Sequence, residues 1–319
     1  MVVFPLNPEP VAYMTLKMSR LAIPPSPLWE DTLLITISAQ NNMTIRNHYR
    51  YDNGDHTVLG TRVGRFNMGI NTTFIIYRIG DTQIDTGPSN QWPQVKQIMQ
   101  QQWQFPPLRQ LLITHHHEDH SGNAARIAEL TGITPFAPQQ ARDKLTHGYR
   151  TPPMQKLIWG SPRPVITQAF PEQITLSDGS PVIPVHTPGH AKDLTCFFLP
   201  EQKYLFSGDM YIARSLKHFR SDENLQQLID SLNRLLALDF KIIFCPHRGI
   251  VEDGYQALTD KRDNLIKLCE QVQQQAKNGR TEKQIMHSLL GPEDTTSFIS
   301  FGNFSKSNLI REARKVKID

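Results

Sequence analysis

The run Thr114-His115-His116-His117-Glu118-Asp119-His120-Ser121-Gly122 packs four histidines and two acids into nine residues. It continues from Leu108–Thr114, a short apolar segment that reads as a strand, so the side chains that follow emerge at a strand's end. In extended backbone alternate residues point the same way, which sends His115 and His117 to one side and His116 to the other. Two imidazoles aimed at one point suit a transition metal, because a single ion must be reached by several donors at once. The turn that follows lets Asp119 and His120 face a second position. Imidazole nitrogen with a few carboxylate oxygens suits zinc, and also iron or manganese.

Working outward, the same arrangement recurs. Thr57–Arg65 and Asn71–Arg78 read as strands, and Ile79-Gly80-Asp81 turns the chain into Thr82–Thr86 as a hairpin that runs into Asp85-Thr86-Gly87. Trp92–Trp103 carries Val95, Ile98 and Met99 at helical spacing, and Ala124–Leu130 is a second helix. Pro181–Val185 leads into His186-Thr187-Pro188-Gly189-His190. Thr195–Leu199 and Tyr204–Phe206 pair across Pro200–Lys203 and lead into Ser207-Gly208-Asp209. Leu225–Leu238 is an amphipathic helix, and Ile242–Cys245 is a strand that ends at Pro246-His247. His190, Asp209 and His247 therefore join the central run at strand ends, where α/β scaffolds gather functional groups.

Taken together these words resemble the metallo-β-lactamase superfamily. THHHEDHSG matches its HxHxDH signature, and DTG, HTPGH and FSGD stand around it in the family's order. The resemblance spans about residues 57–250 and is nearer the glyoxalase II branch than the antibiotic-degrading enzymes. It implies an α/β fold, a four-layer αββα sandwich, with two metal ions in a groove at the strand ends. By position, His115, His117 and His190 would hold the first ion and Asp119, His120 and His247 the second, with Asp209 bridging. The implied cofactor is two Zn²⁺, with Fe or Mn as alternatives. The last histidine departs from the family's PGHG-like word and stands as Cys245-Pro246-His247-Arg248-Gly249. The persulfide dioxygenases, with one catalytic iron, carry much of the same motif set, so one ion or two stays open here. His186 reads as a structural histidine, because His190 takes the ligand position. His116 and Glu118 should lie behind the ligands or in solvent, and Asp85 should accept a hydrogen bond behind the metal histidines.

The expected activity is metal-dependent hydrolysis of a small, anionic ester or thioester, with Asp119 both ligating and orienting a metal-held hydroxide. The alternatives are an endoribonuclease or phosphodiesterase acting on single-stranded RNA, a lactonase, and a binding module that keeps the fold and metals. Directly after Asp209, Tyr211–Arg220 carries Arg214, Lys217, His218 and Arg220 with no acid until Asp222. We expect Arg214 and Lys217 to bind the substrate anion and Tyr211 to donate to the oxyanion. The competing reading is a solvated basic loop.

Composition bounds the rest. With 319 residues, 39% hydrophobic and 20% charged, there is apolar material for a sizeable core. The 23 prolines scatter through loops rather than forming a repeat. A net charge of +4, without a basic run interleaved with aromatics, excludes DNA and disfavours RNA as a partner. The 3 cysteines, Cys196, Cys245 and Cys269, fit neither a disulfide framework nor a zinc ribbon. No signal-peptide core or membrane span is read, so a cytoplasmic location is expected. Residues 1–56 are expected to be an N-terminal extension packing on the core, with Leu33–Ile37 a strand, and 57–252 the catalytic domain. Residues 253–319 are an α-helical appendage: a helix over Ala257–Lys277 stopping at Asn278-Gly279, a capping box at Thr281 and Gln284, and a last helix over Ser305–Lys315.

Overall fold

Alternation of side chains along the strands decides the layers. The computed structural model describes residues 47–53, 56–64, 66–67 and 70–317, so the expected strand Leu33–Ile37 and most of the expected N-terminal extension lie outside the described residues. The first sheet holds seven strands in chain order: β1 His48–Asn53, β2 His56–Val63, β3 Phe74–Ile79, β4 Thr82–Ile84, β5 Gln110–Leu112, β6 Phe136–Ala137 and β7 Gln168–Ala169. β1 to β4 are antiparallel and β4 to β7 parallel. The second sheet holds six: β8 Ile174–Thr175, β9 Pro181–His186, β10 Thr195–Leu199, β11 Tyr204–Phe206, β12 Ile242–Cys245 and β13 Gly249–Val251. Its pairings are antiparallel apart from β11 with β12, which run parallel.

Because the side-chain period of a strand is two, each strand serves two interiors. Ile75, Tyr77, Ile79, Ile84 and Leu112 of the first sheet meet Phe197, Leu199, Phe206, Ile242 and Phe244 of the second in one apolar layer. The alternate residues of the first sheet, Val63, Phe74, Ile76 and Leu111, pack outward on Val95 of α1 (Trp92–Gln97) and Ile127 of α3 (Ala124–Thr131). Between these helices lies the short α2 (Glu118–Ser121). On the other side, Cys196, Phe198, Leu205, Ile243 and Cys245 pack outward on Leu225, Leu228, Leu232 and Leu235 of α6 (Leu225–Leu236). In chain order α4 (Arg142–His147) and α5 (Pro153–Trp159) precede α6. Each fully buried Phe or Leu here contributes about 1.5–3 kcal/mol through area removed from water. The result is the four-layer αββα arrangement, helices outside and two mixed sheets between.

The C-terminal helices α7 (Gly254–Lys277), α8 (Glu282–Leu290) and α10 (Lys306–Ala313), with the short α9 (Thr295–Ile299), make the helical C-terminal region. Ala257, Leu258, Leu265, Cys269 and Val272 of α7, Ile285 of α8 and Leu309 and Ile310 of α10 belong to the same apolar cluster as α6 and the second sheet. They complete the outer layer. The capping box at Thr281 and Gln284 is present. The tail is not helix alone, however: Phe304–Ser305 pairs antiparallel with Phe219–Arg220, tying the tail to the stretch after Asp209. Trp92–Trp103 also departs from one regular helix. After α1 the chain widens over Ile98–Gln102 into a π turn, where Trp103 N donates to Ile98 O five residues back at 2.9 Å, and the Trp103 side chain is buried.

Candidate metal centre

The parallel pairing of β4 with β5 sets the first part of the site. Asp85 N donates to Leu112 O at 2.9 Å, which lays the loop after β4 against the loop after β5. Asp85 sits at φ +57, a left-handed conformation that costs a non-glycine residue of order 1 kcal/mol and persists only where surroundings enforce it. Its carboxylate accepts from Thr114 N at 2.8 Å and Thr114 Oγ1 at 2.9 Å, and takes His120 Nδ1 at 2.7 Å. Thr86 N and Oγ1 both donate to the His120 carbonyl at 2.8 Å. The DTG loop thus fixes α2 from behind.

The second sheet brings the remaining donors. His190 follows Gly189, whose φ is +140 and where an added Cβ would fall 2.5 Å from the Leu228 backbone; only glycine lets this loop sit on α6. Asp209 follows β11 and His247 follows β12. Three overlapping groups among the described residues have donor atoms within 4.8 Å of one another: His115, His117 and His190; His115, His120 and Asp209; Asp119, His120 and His247. His115 Nε2 lies 2.9 Å from His117 Nδ1, and His190 Nε2 lies 3.1 Å from the same atom. Asp209 Oδ1 faces His120 Nε2 and His247 Nε2, each at 3.1 Å, and its Oδ2 faces His190 Nε2 at 3.2 Å. Asp119 Oδ2 stands 3.9 Å from His247 Nε2.

The donor chemistry fits a metal. His120 gives its Nδ1 hydrogen to Asp85, and His190 gives its own to Glu223 Oε1 at 2.5 Å. Burial acts to lower both rings, but Asp209 with Asp85 raises His120 well above the ordinary histidine value, and Asp209 with Glu223 brings His190 up to about 9. Without a cation each inward Nε2 therefore carries a proton. Those protons go to Asp209, whose carboxylate has only lone pairs to offer. A metal cation can take the place of those protons, and a carboxylate behind a ligating histidine is the usual support of such a site. Burial, then neighbouring imidazoles, push His115 and His117 well below the ordinary histidine value, leaving them neutral and able to ligate. For Asp209, burial acts to raise the carboxyl, but His247, His120 and His190 outweigh it and hold it well below its ordinary range.

The stretch after Asp209 goes elsewhere. Arg214 bonds Asp253 and Asp260, the latter on α7, so the two-point grip expected for a substrate carboxylate closes on the protein's own acids. Lys217 is exposed. The Tyr211 ring is buried in the cluster of α6 and α7, with its hydroxyl near Arg214. The structure does not bring Tyr211, Arg214 or Lys217 into hydrogen-bond contact with the donors. Arg220 is the member of the run whose charge the donors feel: it bonds Asp222 at 3.0 and 3.1 Å and contributes to lowering His117. His186 is exposed, its Nε2 against Lys192 O at 2.8 Å.

Sequence reading missed two supports. Glu223 behind His190 follows a basic run and carries no motif. Lys261 of α7 is buried, and its Nζ donates to Met210 O at 2.5 Å, one residue past Asp209. Burial brings that amine down to about 8. A lysine in the middle of an amphipathic helix, on the face otherwise carrying Leu258 and Leu265, was the available signal.

Two mixed sheets between helical layers, with this donor set at the strand ends, define an αββα sandwich built around a metal-donor cluster. A model of the metallo-beta-lactamase superfamily matches residues 71–247, more than half of the chain, and the protein belongs to that superfamily. It is similar to an atrochrysone carboxyl ACP thioesterase of Aspergillus fumigatus, 24% identical over 71% of this chain and 66% of that protein. It is also similar to a hydroxyacylglutathione hydrolase of Rhizobium meliloti, 28% identical over 51% of this chain and 56% of that protein. The aligned part thus spans about half to two thirds of these relatives' length. Among solved structures, a beta-lactamase domain protein from Burkholderia ambifaria aligns with a TM-score of 0.59 at 14% identity, over 79% of this chain and 85% of that one. A metallo-beta-lactamase family protein from Thermus thermophilus aligns with a TM-score of 0.54 at 17% identity, over 80% and 90%. At such identities the likeness speaks for the fold.

Proposed function

We propose that this protein is a dinuclear, metal-dependent hydrolase of small anionic thioesters or esters, with zinc the metal that suits its donors best. The observation that carries this is the clustered donor set, with Nε2 of His120 and of His190 aimed at Asp209 while Asp85 and Glu223 hold the far nitrogen of each ring. His115, His117 and His190 would hold one ion, and Asp119, His120 and His247 the other, with Asp209 shared. When bound, such ions supply Lewis acidity toward the attacked carbonyl and lower the pKa of water toward neutrality. Asp119 Oδ2 stands 3.9 Å from His247 Nε2, and Asp119 would both help hold the second ion and orient the attacking water. Asp209 offsets charge at the centre of the cluster.

The leaving group narrows the choice. A thiol with a pKa of about 8.5 departs as thiolate without being protonated, so a thioester asks least of a centre whose carboxylates are committed to cations. One of the relatives above is named a carboxyl ACP thioesterase and the other a hydroxyacylglutathione hydrolase, which supports the same reading. No helix among the described residues is long and apolar enough to cross a membrane, and the three cysteines are free and buried; we place the enzyme in the reducing cytoplasm. The test is metal analysis of purified protein, followed by turnover of a hydroxyacyl thioester, a lactone, a β-lactam and single-stranded RNA. We expect near two metal equivalents and thioester turnover lost on chelation. RNA cleavage without thioester turnover overturns the substrate class.

A further inference from the structure

His116 is flanked by two of the proposed ligands and turns away from both, yet each of its polar atoms is engaged. Its backbone N donates to Asp193 Oδ2 at 2.8 Å, and its ring Nδ1 lies 2.9 and 3.0 Å from the two Asp193 oxygens. Lys144 of α4 donates to ring Nε2 at 3.0 Å. An ammonium has only hydrogens to give, so Nε2 is the acceptor and Nδ1 carries the proton that goes to Asp193. The His116 carbonyl accepts from Tyr149 Oη at 2.6 Å and from Ser121 Oγ at 2.8 Å. Asp193 itself is 3% exposed. A buried carboxylate is costly unless it is fully answered, and here both oxygens are spent on one residue of another loop.

Asp193 stands three residues after His190, and two residues further on Thr195 N donates to Thr114 O at 2.9 Å. The loop of His190 is therefore bound to the loop of His115 and His117 on the side away from the donors. We propose that Asp193 and His116 form a clamp that sets the first metal position, Asp193 being a positioning residue that acts through His116. The inference rests on the metal-binding reading of the cluster. The clamp fixes how His190 Nε2 meets His117 Nδ1, now 3.1 Å apart, and it touches nothing in the group of Asp119, His120 and His247. Its effect should fall on one position rather than two.

The experiment is titration of metal-free protein with Co²⁺, whose visible spectrum separates a position of three imidazoles and the shared carboxylate from one of two imidazoles and two carboxylates, with thermal melting of the same samples. Wild type is compared with Asp193→Ala, Asp193→Asn, His116→Ala and the double variant D193A/H116A. We expect Asp193→Ala to weaken the first position by about 10–100-fold, the range for outer partners of ligating residues, and to spare the second. His116→Ala should act in the same direction but less, because its backbone N still donates to Asp193, and the double variant should be no worse than Asp193→Ala, which already loses every contact of the pair. Asp193→Asn should recover part of the affinity, since its amide oxygen still accepts from His116, and it serves equally if Asp193→Ala fails to fold. A melting temperature lowered with both positions intact makes the contact structural only and overturns the clamp. Losses that add in the double variant overturn it too, since Asp193 would then act through its own charge. A wild type that takes up no cobalt overturns the metal reading and the clamp with it; wild-type uptake unchanged in every variant overturns the clamp alone.

Discussion

Asp209 and Arg214 are five residues apart in one loop, and they end in opposite situations. Asp209 is buried and faces three imidazole nitrogens. Arg214 lies at the surface, held by Asp253 and Asp260 of the C-terminal region. Both are charged and both follow directly on β11. What separates their roles is the set of groups that answers each charge, and those groups come from distant parts of the chain. Asp209, answered by imidazoles, sits among the clustered donors; Arg214, answered by two carboxylates, ties one part of the scaffold to another.

The largest effect should come from breaking the centre. Asp209→Ala removes the group shared by both positions, so metal content measured on purified protein should fall at both, and thioester turnover by more than the roughly 100-fold seen for outer partners. His247→Ala should empty the second position and leave the first. If Asp209→Ala keeps two metal equivalents, Asp209 belongs to the scaffold and the contrast with Arg214 collapses.

A second test lies on the scaffold side, in acid. Burial acts to raise the Glu293 carboxyl, but hydrogen bonds from Ser297, Ser307 and the Lys306 backbone outweigh it and bring it down to about 2. A carboxyl depressed on folding contributes stability that is present above its unfolded value and lost as pH falls through the folded one. The contacts joining Glu293 to the start of α10 should therefore weaken between about pH 4.5 and about pH 2. Hydrogen exchange of residues 293–308 should rise across that window, and Glu293→Gln should flatten the dependence. An unchanged profile in that variant would assign the acid response to other carboxylates.

The smallest effect should be that of Arg214→Ala. With its guanidinium committed to two aspartates, its loss should lower the melting temperature slightly and move KM for a charged thioester and for an uncharged ester alike. A rise in KM confined to the charged substrate would restore the substrate-binding role expected from sequence.

That pair of residues also shows how much was legible. Strands at Thr195–Leu199, Tyr204–Phe206 and Ile242–Cys245 could be read because both faces are buried and the apolar runs are uninterrupted. His115, His117 and His120 could be brought together on paper because their spacing is local and the backbone period is known. Asp85 was legible for a similar reason, as a word at the end of a strand. The partners of Arg214 were not legible because they lie 39 and 46 residues further on, where no spacing rule reaches. Glu223 and Asp193 were invisible for the same reason: each is an unremarked acid until folding sets it against a histidine ring.

The Lys261 ammonium on the Met210 carbonyl reaches 51 residues back along the chain. During synthesis the histidine run leaves the ribosome first, then His190, Asp209 and His247, with α7 after all of them. The turn that carries Asp209 therefore lacks one of its supports until the helix carrying Lys261 docks, which makes completion of this centre a late event and ties it to non-local contacts, the slow step in folding. Tight metal uptake then reports that the outer helical layer has closed, and a chain stalled before residue 261 would expose donors without the support that α7 supplies.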